Sequence, residues 1–525
     1  MVCQLEKEEL KKSKAFYQWK HRIEGLPHFS AFEGIAEVPI WDQYELRNRL
    51  FANTKMMDGF RSAQNEKKAH PKRFSDYRSL VESRIGKATI PAYVFRNWQS
   101  DDFFAEQLLS GCNAGLIEKC QHIEEELHKN GYDLSEALAK GELYQVNYEI
   151  LADLSPDIPS PFILLQSDPD DGILIPLAIQ LAPSDPVFTP DDAPNDWLLA
   201  KMWCRMVDCN IAQMCIHLLF SHMLMDNFNL ALHRNFSPSH PIYQLLIPHF
   251  KNVIAGNIVA KDVLIGDNGM FNRITKLKDV YLDLGRKAWK TWSVKQKLIL
   301  PYDLEQRGMD DREALGHYPY RDDGMLIWNA IRNYVKAVVD SYYKEDQQVQ
   351  QDNELQAWIY ETVHQGLKTS DLEDTIQNKK DLIDLLSGVI FNSSAIHSSL
   401  NSEMFKTMGF IPNSPLVLRG AYPKEKGKTS LNDLMQALPD METSELIIDM
   451  MAILGHRDLE GFIAKDEDVL GEETLLSTHP KVRMAHARFK DELEAAALSI
   501  EKINKERKYP YAAFLPEQIT SSASW

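Results

Sequence analysis

Between Pro194 and Pro238 the chain runs for 43 residues with neither proline nor glycine. The run, NDWLLAKMWCRMVDCNIAQMCIHLLFSHMLMDNFNLALHRNFS, is apolar on nearly every helical face. A helix that is hydrophobic all round has to be buried. Lys201, Arg205, Asp208 and Asp226 interrupt the run and argue against a membrane span. No unbroken apolar run of about 18 residues occurs elsewhere, so no transmembrane helix is expected. The segment therefore predicts one long helix at the centre of a large core.

The rest of the chain fits around such a helix. GMLIWNAIRNYVKAVVDSYYKED, DLIDLLSGVIFNSSAIHSSL and VRMAHARFKDELEAAALSIEKINKERK all carry helical patterning. ILLQSDPDDGILIPLAIQLAPSDP has two apolar runs around a DPDDG turn and predicts a small β hairpin or sheet. Within 91–155, LIEKCQHIEEELHKNG and LSEALAKGELY read as helices with polar faces. Residues 1–90 read as a helical, loop-rich lead-in with a basic run near Lys67 to Arg73, packed on a domain spanning 91–525. The expected class is mainly α, one large domain with a minor β element.

Charge and cysteines narrow the partners. With 58 basic and 76 acidic side chains the net charge is −18, which disfavours general binding to nucleic acid or anionic lipid. None of the six cysteines forms a CxxC pair, and Cys204, Cys209 and Cys215 share one apolar helix. They read as reduced core residues. MVCQLEKEELKKSKAFYQWK lacks the apolar stretch of a signal peptide. The expected location is the cytoplasm.

Two histidines, His217 and His222, sit inside the buried run. Each buried ring nitrogen needs a partner. At 3.6 residues per turn a spacing of five turns them about 140° apart. A wider, π-type turn would bring them onto one face, and such turns recur at functional sites. The spacing alone leaves two unrelated core histidines and a distorted metal pair equally open. In IFNSSAIHSSLNSEMF, His397 and Asn401 stand four apart on one face among small serines. Three imidazoles and an amide oxygen suit a first-row metal such as iron; a packed helix with a polar stripe is the plainer alternative.

Longer motifs go further. WLLAK (Trp197 to Lys201), His217 and His222, His233-Arg234, His240-Pro241 and Pro248-His249 follow one another as in the signature helix of the lipoxygenases, which this segment resembles. IFNSSAIHSSLNSEMFKTMGFIPNSP is similar to that family's second ligand helix. WQSDDFFAEQLLSGCN, HYPYRDDGMLIWNAI and KYPYAAFLPEQI match as well, so the resemblance spans roughly 90–525. It implies a helical catalytic domain around a long, π-distorted helix, holding one non-haem iron. The ligands it implies are His217, His222, His397, Asn401 and the main-chain carboxylate of Trp525, while His233, His240 and His249 are structural.

The implied reaction adds O2 to a polyunsaturated fatty acid of the linoleic or arachidonic type. Hydrogen is taken by ferric iron with bound hydroxide from the carbon between two cis double bonds, giving a conjugated hydroperoxide. Ala260 falls where Ala accompanies S-configured products and Gly accompanies R; Leu264 falls where a bulky residue shapes oxygen access. Cys209, Ile274 and Thr275 fall at the pocket floor; ordinary core packing is the alternative for all five. Many members carry an N-terminal β-sandwich used for membrane docking; the helical lead-in of residues 1–90 does not resemble it, so a catalytic domain alone is expected, with no calcium, at most transient membrane contact, and a monomer.

The chain departs from the pattern at two points. It ends in Trp525 where most members end in Ile, and Met404 falls near a Gln that links the terminal ligand to a hydrogen-bond network, leaving Gln213 as that network's other half. Two further functions share the scaffold. One is a fatty-acid hydroperoxide isomerase; the other is a non-catalytic lipid-binding protein that has lost iron.

Overall fold

Proline opens three of the helices that build the core. In a computed structural model of the chain, Pro194, Pro319 and Pro480 each stand in a first helical turn, where the missing N–H costs nothing and the fixed φ is already helical. The structure describes residues 2–43, 70–85, 90–123, 133–168, 172–266, 269–368, 371–454 and 479–523. The principal helices are α1 (Val2–Phe16), α2 (Asp101–Ser110), α3 (194–235), α4 (Val253–Val263), α5 (Pro319–Tyr342), α6 (379–408) and α7 (Pro480–Asn504).

The continuous helix α3 fills the stretch that lacks proline and glycine, and it is buried almost throughout. Its charged residues are paired inside the protein. Lys201 donates to Gln99 O and Asp101 Oδ1, both at 2.6 Å. Asp208 accepts from Tyr148 Oη at 2.6 Å and Asn113 Nδ2 at 3.0 Å. Asp196 accepts from the backbone N–H of Thr429 at 3.0 Å. Buried charges of this kind persist only when paired and hydrogen-bonded. Among the described residues no helix is long and apolar enough to cross a membrane.

The expected β element is a five-stranded antiparallel sheet in the order β3 (Glu118–Lys119), β4 (Leu143–Asn147), β5 (Phe162–Ser167), β6 (Leu174–Gln180) and β7 (Val187–Phe188). Tyr144, Val146, Ile163, Leu165 and Ile179 face the main core. Leu143, Leu164 and Ala178 face a smaller cluster with Leu134 and Ala137. Burial on both faces explains the unbroken apolar runs. Two segments expected as helices join this sheet instead: Glu118–Lys119 and Leu143–Asn147 are strands. Pairing with an apolar neighbour outweighs the weak local helical pattern there; the helix Ser135–Lys140 does form.

Residues 2–43 lie across α3 and α4 as a strap, with a short pair, β1 (Trp19–Lys20) and β2 (Phe29–Ser30), in its middle. Ser13 Oγ donates to His233 O. Asn227 Nδ2 donates to His28 O at 3.0 Å. Ser30 N donates to Asp226 Oδ2 at 3.3 Å, and Asn252 N to Asp42 Oδ1. Burial pushes the Asp42 carboxyl up to about 8, the neighbouring Asp226 charge adding to it, and burial pushes Asp226 up to about 7.

A carboxyl whose pKa rises on folding lends stability that is greatest below its ordinary value, here 3.8, and that is lost as pH climbs through the folded value. Asp42→Asn, which mimics the protonated form, is therefore expected to raise the thermal midpoint by a few degrees near pH 8 and to make little difference near pH 4. Calorimetry across that range checks it.

Candidate metal centre

The middle of α3, Ala212–Met223, is π-helical. Its wide turns cancel the rotation that a spacing of five would otherwise impose. His217 Nε2 and His222 Nε2 come within 3.3 Å. A second π segment, Asn392–Ile396, precedes His397 on α6, and His397 Nε2 lies 3.1 Å from His222 Nε2. The three rings are buried. The rings of His222 and His397 stand nearly perpendicular at 89°, those of His217 and His397 nearly parallel at 27°.

Burial drives His217 well below the ordinary histidine range, with His222 contributing, and lowers His222 to about 4. Neutral imidazoles have one N–H each. Three Nε2 atoms facing one another therefore present lone pairs to a common point. Ligand atoms about 2.0–2.2 Å from a shared ion and at right angles to one another sit about 3 Å apart, which is the spacing seen. Among the described residues this is the one group of His, Cys, Asp and Glu arranged to hold an ion. Asn401, a turn after His397, places Nδ2 3.5 Å from His397 Nε2, while its Oδ1 is buried with no partner. A half-turn of the amide exchanges the two ends, so the site can offer an oxygen as a fourth donor. The donor set fits a first-row metal such as iron.

Trp525 lies outside the described residues, but the chain leading to it is held beside the histidines. Ser398, adjacent to His397, accepts from Thr520 N at 2.8 Å and shares a bond with Thr520 Oγ1 at 2.9 Å. Ser522 Oγ donates to Lys251 O at 2.8 Å, and Ala523 is fully buried. His249, expected to be structural, pairs through Nδ1 with Ser521 O at 2.8 Å.

The predicted pocket residues Cys209, Ala260, Leu264, Ile274 and Thr275 are all buried. Two of their segments meet at one carbonyl: Asn210 Nδ2 and Lys276 N both donate to Leu416 O, at 2.9 and 3.1 Å. Thr275 spends its hydroxyl on Phe271 O. After Leu264 the chain turns so tightly that a Cβ on Gly269 would lie 2.3 Å from Leu264 O, so only glycine fits. A narrow cavity of about 50 Å³ lies elsewhere, against Ile216, Phe220, Ile396 and Leu400, and none of the five lines it. Gln213 is buried, with Nε2 3.7 Å from Met408 Sδ and Oε1 without a partner.

One residue escaped the sequence reading. Asn257 on α4 donates from Nδ2 to His222 O at 3.0 Å, and its side chain also favours the charged form of Asp226. It links the strap, α4 and a histidine of the cluster. A lone buried amide in the apolar helix VIAGNIVAKDV was the available signal.

A mainly α domain in which buried imidazoles converge from two π-distorted helices suits a metal centre without haem. The lipoxygenase family model matches residues 162–512, and the chain belongs to the lipoxygenase family, whose members are non-haem iron dioxygenases. It is 31% identical to rat polyunsaturated fatty acid lipoxygenase ALOX15B, over 98% of this chain and 79% of that protein. It is 30% identical to mouse hydroperoxide isomerase ALOXE3, over 87% of this chain and 66% of that protein. An anaerobic crystal structure of a lipoxygenase deletion variant in complex with arachidonate superposes with a TM-score of 0.90 at 25% identity, covering 100% of this chain and 82% of that one.

Replacing Asn257 by Leu removes the hydrogen bond that α4 donates to the His222 carbonyl, a loss of about 0.5–1.5 kcal/mol. A thermal midpoint lower by several degrees, together with reduced iron content by metal analysis, is the expected result.

Proposed function

We propose that the chain is a dioxygenase that inserts O2 into the 1,4-cis,cis-pentadiene unit of polyunsaturated fatty acids and releases S-configured hydroperoxides. The observation that carries this reading is the convergence of His217, His222 and His397 Nε2 at 3.1 and 3.3 Å. In this reading these three hold one iron, Asn401 supplies a fourth donor, and the Trp525 carboxylate a fifth. The burial of Ser522 and Ala523 beside Ser398 supports that last assignment.

Iron, when bound, supplies the one-electron oxidation that lets hydrogen leave the doubly allylic carbon. The protein does the rest. Burial keeps the imidazoles neutral, so their lone pairs stay available as pH falls below the usual histidine range. The apolar side chains around the centre, Ile216, Phe220, Ile396 and Leu400 among them, keep water from it. Ala260 and Leu264, on and just after α4, set which end of the pentadienyl radical oxygen reaches. Asn257, one turn before Ala260, fixes α4 against the histidine helix. The five described cysteines are free thiols, which fits a reducing cytoplasmic setting.

A hydroperoxide isomerase is the second reading. Gln213, facing a thioether rather than a polar network, favours it, as does the likeness to ALOXE3.

Ultraviolet absorbance with linoleate or arachidonate in air separates the two. An oxygen-dependent conjugated-diene signal supports the dioxygenase; consumption of added hydroperoxide without oxygen uptake supports the isomerase. His217→Ala is expected to lower iron from about one per chain to near zero and to abolish turnover; retained activity would overturn the ligand assignment. Ala260→Gly is expected to shift the product towards R, read by chiral chromatography, with iron content unchanged.

A further inference from the structure

Three large apolar side chains of the strap face solvent. Ile40 is 88% exposed, Trp41 50% and Phe16 48%. They form one patch through the rings beneath them. Phe16 packs on Phe32 at 5.2 Å, Tyr17 stacks on His233 at 4.2 Å, and Trp41 leans on the same His233 at 5.4 Å. Below lies a small apolar cluster of Tyr17, Phe32, Val38, Leu230, Ile254 and Ile258. The last two belong to α4, the helix that carries Ala260.

The tip is rigid. Ile40–Asp42 is a 3-10 turn entered from Pro39, and Asp42 accepts a hydrogen bond from Asn252 N, so Ile40 and Trp41 are held outward. Folding leaves them there although the same turn buries Asp42.

The charge around the patch runs against that of the chain. Lys11, Lys12 and Lys14 are exposed at the end of α1, and Lys12 lies one turn before Phe16 on the same face. None of the three has a carboxylate partner among the described residues. The nearby acids are engaged: Glu33 by Lys20 and Arg22, Glu37 by the backbone N–H of Glu33. The acids of this helix, Glu6, Glu8 and Glu9, lie further from Phe16 along the chain. Net charge governs encounter at long range, but within about 8–10 Å of a surface the local charges decide.

We propose that this patch docks on a lipid bilayer carrying anionic head groups. A protruding turn with an indole and an aliphatic side chain, bordered by lysines, matches a membrane interface, where the rings enter the head-group layer and the cations meet phosphate and carboxylate. Docking there would set α4 towards the lipid. The inference goes beyond the dioxygenase reading and does not rest on it, because binding needs no turnover.

Co-sedimentation with phosphatidylcholine vesicles, with and without phosphatidylserine and with chelator present, tests it. The parent protein is expected to bind the serine-containing vesicles, and more weakly at high salt. Ile40→Ser with Trp41→Ser should weaken binding at least about tenfold, and Ile40→Ser alone should weaken it with the thermal midpoint unchanged. Lys12→Glu with Lys14→Glu should weaken it as well. Met484→Ser, at another exposed apolar site on α7, should leave it unaltered. Failure of the parent to bind, equal binding to vesicles of both kinds, or equal loss with Met484→Ser would overturn the proposal. So would a lipid-free dimer abolished by Ile40→Ser, which would assign the patch to a second copy of the chain.

Discussion

A helix buried on every side has no solvent face on which to leave a polar atom. Each one it carries needs a partner inside the protein, and each partner fixes a neighbour. In α3 that requirement organises much of the molecule. Lys201 holds the start of α2 through Asp101. Asp208 gathers Asn113 and Tyr148 from the segments around the sheet. Asp226 receives the strap through Ser30. The histidines meet the same requirement in another way: their Nε2 atoms converge at the spacing that ligands of one cation would have.

The histidine cluster is tied to other elements as well. From one side α4 reaches His222 through Asn257. From the other, α6 brings His397, and Ser398 ties it to the last described turn of the chain. The hydrogen bond from His249 to Ser521, residues 272 positions apart, holds the same end of the chain, and Ser13 to His233, 220 apart, fixes the strap further along α3. The centre is built from distant parts of the sequence, and its geometry depends on all of them being docked.

Much of this was legible beforehand. The absence of proline and glycine marked α3, and the spacing of His217 and His222 already required a wide turn if the two were to cooperate. The structure supplies that turn. The hairpin around DPDDG was equally plain. The edge strand at Glu118 was not, because two polar residues gain a strand only from the neighbour they pair with. Asn257 was missed because one amide in an apolar helix has no pattern of its own. Asp42 and Asp226 were hidden for a related reason: an acidic residue in sequence reads as surface, and only the fold shows that it is enclosed.

The wide turns of α3 also bear on how the helix tolerates change in length. Each residue added to or removed from a helix turns everything beyond it by about 100° and shifts it by about 1.5 Å. A π turn absorbs one residue more than an α turn, so it acts as an insertion accommodated in place. Deleting one residue between His217 and His222 would let a wide turn relax to a regular one, with Asp226, Asn227 and His233 keeping their register against the strap. The extra residue is thus not held by the contacts on its far side; what it sets is the direction in which the two histidines approach each other. In this helix, tolerance of a change in length is concentrated at the centre.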